Sequence, residues 1–135
     1  MSRRIYLETY GCQMNVADSE LMLGQLSRAG YDRTEKPAEA DVILLNTCAI
    51  REHAEQRVYG RLGELSRHKV RRPGVLLGVA GCMAQHLKSR LLEKVPAVDL
   101  VVGPDGYRDL PELLDQARDE PTLAISLSRV ETYGD

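Results

Sequence analysis

The residues of this chain best suited to chemistry are its three cysteines, each of which closes an apolar run and precedes a stretch with helical spacing. The three segments are Ile5–Cys12, Val42–Cys48 and Val75–Cys82. In a parallel α/β sheet such positions lie just beyond the carboxyl ends of strands, where loops converge and ligands bind. Cys12 and Cys48 are 36 residues apart and Cys48 and Cys82 are 34 apart. Those separations exclude a local C-x-x-C knuckle, so a shared site must be made by the fold. Soft thiolates select iron–sulfur clusters, zinc or copper(I). Three thiolates are one short of a fully ligated four-iron cluster and leave one iron open to an outside ligand. Helices starting after each cysteine would aim free N–H groups and partial positive charge at an anionic cluster. They would also favour the thiolate form. The expectation is that Cys12, Cys48 and Cys82 share one edge of the sheet, with sulfurs within roughly 7 Å of one another or on loops able to bring them there.

Other readings of the same residues stay open. Buried cysteine is a common core residue, and any one of the three alone reads as packing. A zinc site competes, because His53 follows Cys48 by five and His86 follows Cys82 by four, and either would complete a tetrahedral set. A thiol redox protein would instead form a reversible disulfide and hold no metal. Asn15 and Asn46 stand near Cys12 and Cys48 as candidates for hydrogen bonds around the site, with helix capping and turn formation as their ordinary roles. The basic run Arg67, His68, Lys69, Arg71 and Arg72 reads as a solvated helix end, with RNA contact as the alternative. Glycines 78, 81, 103 and 106 do not form a dinucleotide-binding fingerprint after the first strand.

The elements that must position these residues alternate strand and helix. Asn15 is expected to cap a helix carrying Val16, Leu21, Met22, Leu26 and Ala29 until Gly30 stops it. From Ile50 to about Lys69, a second helix places Ile50, Ala54, Val58, Leu62 and Leu65 on one stripe. Arg51, Glu52, Glu55, Gln56, Arg61 and Glu64 take the solvent side. A shorter helix is expected over 84–92, a fourth strand over 98–102, a turn at Gly103-Pro104-Asp105-Gly106 and a last helix starting near Pro111 and running to about Arg118. Residues 123–127 are expected as a fifth, edge strand. The alternation predicts an α/β fold: a three-layer, doubly wound, mainly parallel sheet of four to five strands, Rossmann- or flavodoxin-like.

With 135 residues the chain has room for one core that buries roughly two-thirds of its unfolded surface. Hydrophobic residues make up 43% and charged residues 28%, as in soluble globular domains. A net charge of −2 gives no general electrostatic case for nucleic-acid binding. No apolar run approaches the ~18 residues of a membrane span, and the odd number of cysteines argues against a secreted disulfide framework. The expectation is a cytoplasmic protein without membrane association. It is read as a domain over 1–127 and a linker over 128–135.

Three motifs make the chain recognisable. Tyr10-Gly11-Cys12-Gln13-Met14-Asn15, Asn46-Thr47-Cys48-Ala49-Ile50-Arg51 and Ala80-Gly81-Cys82-Met83-Ala84-Gln85 resemble the signatures of the amino-terminal, UPF0004-type domain of radical-SAM methylthiotransferases. The text from Arg51 to Leu65 extends the likeness over nearly the whole chain. Gln-Met-Asn following Cys12 and Ala-Ile-Arg following Cys48 resemble the tRNA-modifying MiaB branch. The ribosomal-protein branch, the alternative, has different text at both places.

The resemblance implies methylthiolation of the N6-isopentenyl-type adenosine 37 in tRNA, giving the 2-methylthio derivative. It implies that Cys12, Cys48 and Cys82 hold an auxiliary [4Fe–4S] cluster with an open iron that carries the sulfur. A second [4Fe–4S] cluster and S-adenosylmethionine would belong to a radical-SAM domain in cis, and tRNA contact to a carboxy-terminal RNA-binding domain. This sequence has no C-x-x-x-C-x-x-C motif. Taken alone, it is expected to hold the sulfur-donor cluster, contain no catalytic residue for radical chemistry and be inactive.

Overall fold

The computed structural model describes residues 3–9, 13–47, 52–81, 84, 87 and 89–124, with backbone only for 13–15 and 52–55. Strand β1 (Arg3–Thr9) leads to helix α1 (Gln13–Arg28), then to β2 (Tyr31–Arg33) and β3 (Val42–Thr47). Helix α2 (Glu52–Arg71), β4 (Leu76–Gly81), α3 (Ser89–Lys94), β5 (Leu100–Val102), α4 (Leu110–Asp119) and β6 (Thr122–Ala124) follow. The six strands form one sheet in the order β2-β1-β3-β4-β5-β6. Every pairing is parallel.

The expected doubly wound architecture is therefore present, with more strands than expected. The additional one is β2, whose Tyr31-Asp32-Arg33 is too short and too charged to display a strand period. It forms because Arg3 to Ile5 of β1 offer a parallel edge in register with Tyr31 to Arg33, while buried Tyr31 anchors it in the core. Its two charged residues suit an edge, where they discourage pairing with another chain. Strand β6 sits at the other edge, and its described part starts one residue earlier than expected.

Strands β3 and β4 are buried along their full lengths. That is why Val-Ile-Leu-Leu and Leu-Leu-Gly-Val-Ala read as continuous apolar runs instead of alternating ones. Their side chains feed two cores. On one face Ile5, Leu7, Val42, Leu44 and Leu100 pack with Met22 and Leu26 of α1 and Leu110, Leu114 and Ala117 of α4. On the other, Ile43, Leu45, Leu77, Val79 and Val101 pack with Val58, Leu62 and Leu65 of α2 and Leu91 of α3. Each fully buried leucine contributes about 2 kcal/mol through the water-exposed area it loses.

Helix α1 corrects two expectations. It starts at Gln13, so Asn15 lies inside it and is not its cap. Met22 and Leu26 are wholly buried as expected, but Val16 is 51% and Leu21 47% exposed. The stripe that meets the sheet runs through 19, 22 and 26, a periodicity that includes Ser19 instead of Val16. Gly30 does end this element, at φ +95°, where a side chain would be strained. Of the stripe expected on α2, Val58, Leu62 and Leu65 are buried, whereas Ile50 and the side chain of Ala54 lie outside the described residues. The Gly103–Gly106 turn is the start of a 3₁₀ segment, Pro104–Asp109, that runs directly into α4.

Parallel strands begin at one edge of the sheet, and two aspartates finish it. Asp41, just before β3, accepts the Arg4 backbone N–H at 2.8 Å. Asp99, just before β5, accepts the Leu77 N–H at 3.0 Å. Lys69, from the last turns of α2, reaches Asp99 at 2.6 Å and donates to the Ala97 carbonyl at 3.0 Å. Arg72 donates to the Ala40 carbonyl. Two members of the basic run thus fasten the end of α2 to the amino edge of the sheet.

Candidate functional site

At the opposite, carboxyl edge the chain order reverses. From β1 the chain crosses to β2 on one side, and from β2 it crosses back to β3 on the other. The crevice between β1 and β3 is the topological switch point of this sheet, where open α/β folds bind ligands. The register brings three strand exits together there. Thr9 of β1 lies opposite Asn46 of β3, and Thr47 lies opposite Gly81 of β4. Neighbouring strands stand about 4.8 Å apart, so the three exits span about 10 Å. The connections leaving them carry Cys12, Cys48 and Cys82. The three cysteines themselves, and hence their expected sulfur separations, lie outside the described residues, as do His86 and the side chains of Asn15 and His53.

One buried polar network joins the described residues of these exits. Ser19, on the sheet-facing stripe of α1, shares a 2.6 Å hydrogen bond with Thr9 Oγ1. It also accepts one from Asn46 Nδ2 at 2.9 Å. Asn46 is fully buried and Ser19 nearly so, which makes these bonds costly to lose. Next to them, Thr47 Oγ1 donates to the Ala80 carbonyl at 3.0 Å.

Gly81 completes the rim. Its φ is +106°, and a Cβ there would stand 2.0 Å from the Thr47 carbonyl oxygen and 2.9 Å from Asn46 Oδ1. Only glycine allows β4 to approach β3 this closely while turning toward Cys82.

One residue before Thr9, Glu8 faces α2. Arg61 binds it through Nε at 2.9 Å and through Nη2 at 2.8 Å, and reaches Glu64 with Nη1 at 3.0 Å. Tyr6 donates to Glu8 at 2.6 Å. Burial, then the bond to Glu8, pushes the Tyr6 phenol above its ordinary value. The Glu8 carboxylate raises Arg61 further, so its charge is permanent. Arg61, expected on the solvent side of α2, instead clamps that helix to β1.

Of the residues singled out from sequence, Asn46 is at the rim and bonded within it. Ser19 is a member of the rim that the cysteine motifs do not reveal, although the sequence holds a signal for it. It is a polar residue on the helical stripe that continues through Met22 and Leu26. Among the described residues no three histidine, cysteine or acidic side chains gather to hold a metal. The sequence puts one cysteine on each of the three connections, and soft thiols are the donors that would suit an iron–sulfur cluster or zinc. No described helix is long and apolar enough to cross a membrane.

A doubly wound, all-parallel α/β sheet with cysteine-bearing connections leaving β1, β3 and β4 on one rim defines a domain of the Rossmann-like class. The chain belongs to the Uncharacterized protein family UPF0004, whose profile matches residues 4–103. It is 50% identical over 133 residues to the tRNA-2-methylthio-N(6)-dimethylallyladenosine synthase of Chloroherpeton thalassium, covering 98% of this chain and 30% of that protein. The synthase of the same name from Amoebophilus asiaticus is 51% identical over 137 residues, covering 100% of this chain and 28% of that protein. The human Mitochondrial tRNA methylthiotransferase CDK5RAP1 is 50% identical over 138 residues, covering 98% and 23%. The chain thus spans less than a third of the length of these curated relatives.

Proposed function

We propose that this chain is the auxiliary-cluster, sulfur-donor domain of a tRNA methylthiotransferase of the MiaB type. Its site residues are Cys12, Cys48 and Cys82, which would hold a [4Fe–4S] cluster through three thiolates. The observation that carries the reading is the register Thr9 to Asn46 and Thr47 to Gly81, which aligns the exits preceding all three cysteines at the switch point. About 50% identity across the whole chain to tRNA-2-methylthio-N(6)-dimethylallyladenosine synthases supports the substrate class.

When bound, such a cluster supplies an open iron able to carry sulfur. The chain's own part is to hold and orient it. The described parts of α1 and α2 begin at Gln13 and Glu52, after rim connections, and helix amino ends placed there would favour an anionic group. The aromatic C–H of adenosine 37 requires a hydrogen-abstracting agent. S-adenosylmethionine, a second [4Fe–4S] cluster and the tRNA contacts therefore belong to radical-SAM and RNA-binding domains in cis. Residues 128–135 are the proposed linker toward them, and the domain alone is inactive. A cytoplasmic setting goes with this reading, with an organellar one suited to relatives such as the mitochondrial human protein.

The test is anaerobic reconstitution of the chain with iron and sulfide. It should take up about four irons and four sulfides and form no 5′-deoxyadenosine from S-adenosylmethionine and reductant. One zinc with no sulfide, or a reversible disulfide with no metal, would overturn the reading. In the longer protein, alanine at Cys12, Cys48 or Cys82 should abolish methylthiolation and leave reductive cleavage of S-adenosylmethionine intact.

A further inference from the structure

The buried network at the rim touches the chain ahead of every cysteine. Thr9 is the last residue of β1, three before Cys12; Asn46 is two before Cys48; Gly81 is the last of β4, one before Cys82. Ser19 links the first two. It stands on α1, beyond Cys12 in sequence, and its single oxygen is bonded to both Thr9 and Asn46. By accepting from Asn46 Nδ2, Ser19 holds the nitrogen side of that amide on α1. The amide oxygen is turned to the space beside Gly81, 2.9 Å from where a Cβ would stand. These groups are neutral and short, with Asn46 and Ser19 buried and Thr9 half-buried, so their geometry has little freedom.

We propose that Ser19 is the positioning residue of the site: its hydroxyl locks the exits of β1 and β3 across the switch point and holds Asn46 beside Gly81 of β4. This inference rests on the cluster-binding reading above. It assigns Asn46 the task of aligning the rim instead of acting directly on the cluster, and it gives α1 a function besides packing. Without the Ser19 hydroxyl, Asn46 Nδ2 loses the acceptor that ties β3 to α1, and the Thr9 hydroxyl loses its bond across to α1. The three connections would then meet a cluster in a less fixed arrangement.

The experiment compares the parent chain with Ser19→Ala, Ser19→Thr and Thr9→Val after anaerobic reconstitution with iron and sulfide. It measures iron per chain, the electron paramagnetic resonance spectrum of the reduced cluster, the rate of iron release to a chelator, and the thermal midpoint of the metal-free chains. Loss of an orienting hydrogen bond behind metal ligands typically weakens binding by roughly 10- to 100-fold. Ser19→Ala should release iron faster by about that factor and give an altered spectrum, and Thr9→Val should show a smaller change of the same kind. Ser19→Thr, which keeps the hydroxyl, should restore the parent spectrum and a release rate within roughly threefold of it. A parent-like spectrum and rate in Ser19→Ala would overturn the proposal. So would failure of Ser19→Thr to rescue, with release tracking only the fall in metal-free thermal midpoint, because that outcome describes packing. Should Ser19→Ala not fold, Thr9→Val decides by the same two readouts. If the parent itself takes up no iron, the cluster reading fails and this inference with it; iron uptake by the parent with no effect of the variants sinks the inference alone.

Discussion

The two rims of the sheet solve the same problem with opposite chemistry. Where strands begin, backbone N–H groups are finished by charge: Asp41 on Arg4, Asp99 on Leu77, with Lys69 and Arg72 bringing the end of α2 against them. Where β1, β3 and β4 end, the last residues of the strands are joined by neutral hydroxyls and an amide, and by a glycine that lets two strands nearly touch, with the charged Glu8–Arg61 clamp set one residue back. Lys69 and Arg72 are long and tolerate small errors in placement, so they suit an edge that only has to be sealed. Short neutral groups hold position over a few tenths of an ångström and add no net charge. They leave the local field to helix N-termini and to whatever binds.

If that contrast is right, the largest single effect belongs to shape at the neutral rim. Gly81→Ala should lose at least about 3 kcal/mol, from the positive φ and the overlap with the Thr47 carbonyl. Urea unfolding checks this, and a variant within about 1 kcal/mol of the parent would mean the strands can part cheaply. Next comes the charged rim. Asp99→Ala strands Lys69 in a mostly buried place and leaves the Leu77 N–H without its carboxylate, for a loss of about 2–3 kcal/mol. Measured again in about 1 M salt, the gap to the parent should narrow, because part of it is Coulombic.

A smaller effect sharpens the comparison from the other side. Thr47→Val keeps the shape and removes only the bond to the Ala80 carbonyl, so about 1 kcal/mol should be lost, with no dependence on salt. Salt sensitivity there, matching that of Asp99→Ala, would break the distinction between the rims. The smallest effect concerns the Tyr6–Glu8–Arg61 clamp. Folding raises the Tyr6 phenol above its ordinary 10.0, so the folded state holds that proton more tightly than the unfolded chain. Its contribution is complete below pH 10.0 and is lost as pH rises through the folded value. Stability should therefore fall more steeply above pH 10.0 in the parent than in Tyr6→Phe, as pH-dependent thermal unfolding can test.

The helix stripes show how far hydrophobic periodicity reaches. Val58, Leu62 and Leu65 on α2 are buried as their spacing requires. On α1 the same periodicity assigns Val16 and Leu21 to the core and passes over Ser19, since it weighs apolar character alone. It places Arg61 in solvent for the same reason. Composition cannot show that Glu8, 53 residues earlier, waits to pair with it. Asn46 stands out in the sequence for its place beside Cys48. Its bond to a serine 27 residues away is not legible there, because that contact depends on α1 crossing β3.

By itself the sequence determined the strand–helix alternation, the buried runs of β3 and β4 and the thiol chemistry of the three connections. Each follows from local residue types and short-range periodicity. Strand order, the place of β2, the switch point between β1 and β3 and the contact between Thr47 and Gly81 were decided by the tertiary structure alone. They depend on which edges pair and in what register, and pairing energy is shared among residues far apart in the chain. The neutral rim is a product of both, with residues fixed by sequence and brought within hydrogen-bond distance only by the packing of α1 against the sheet.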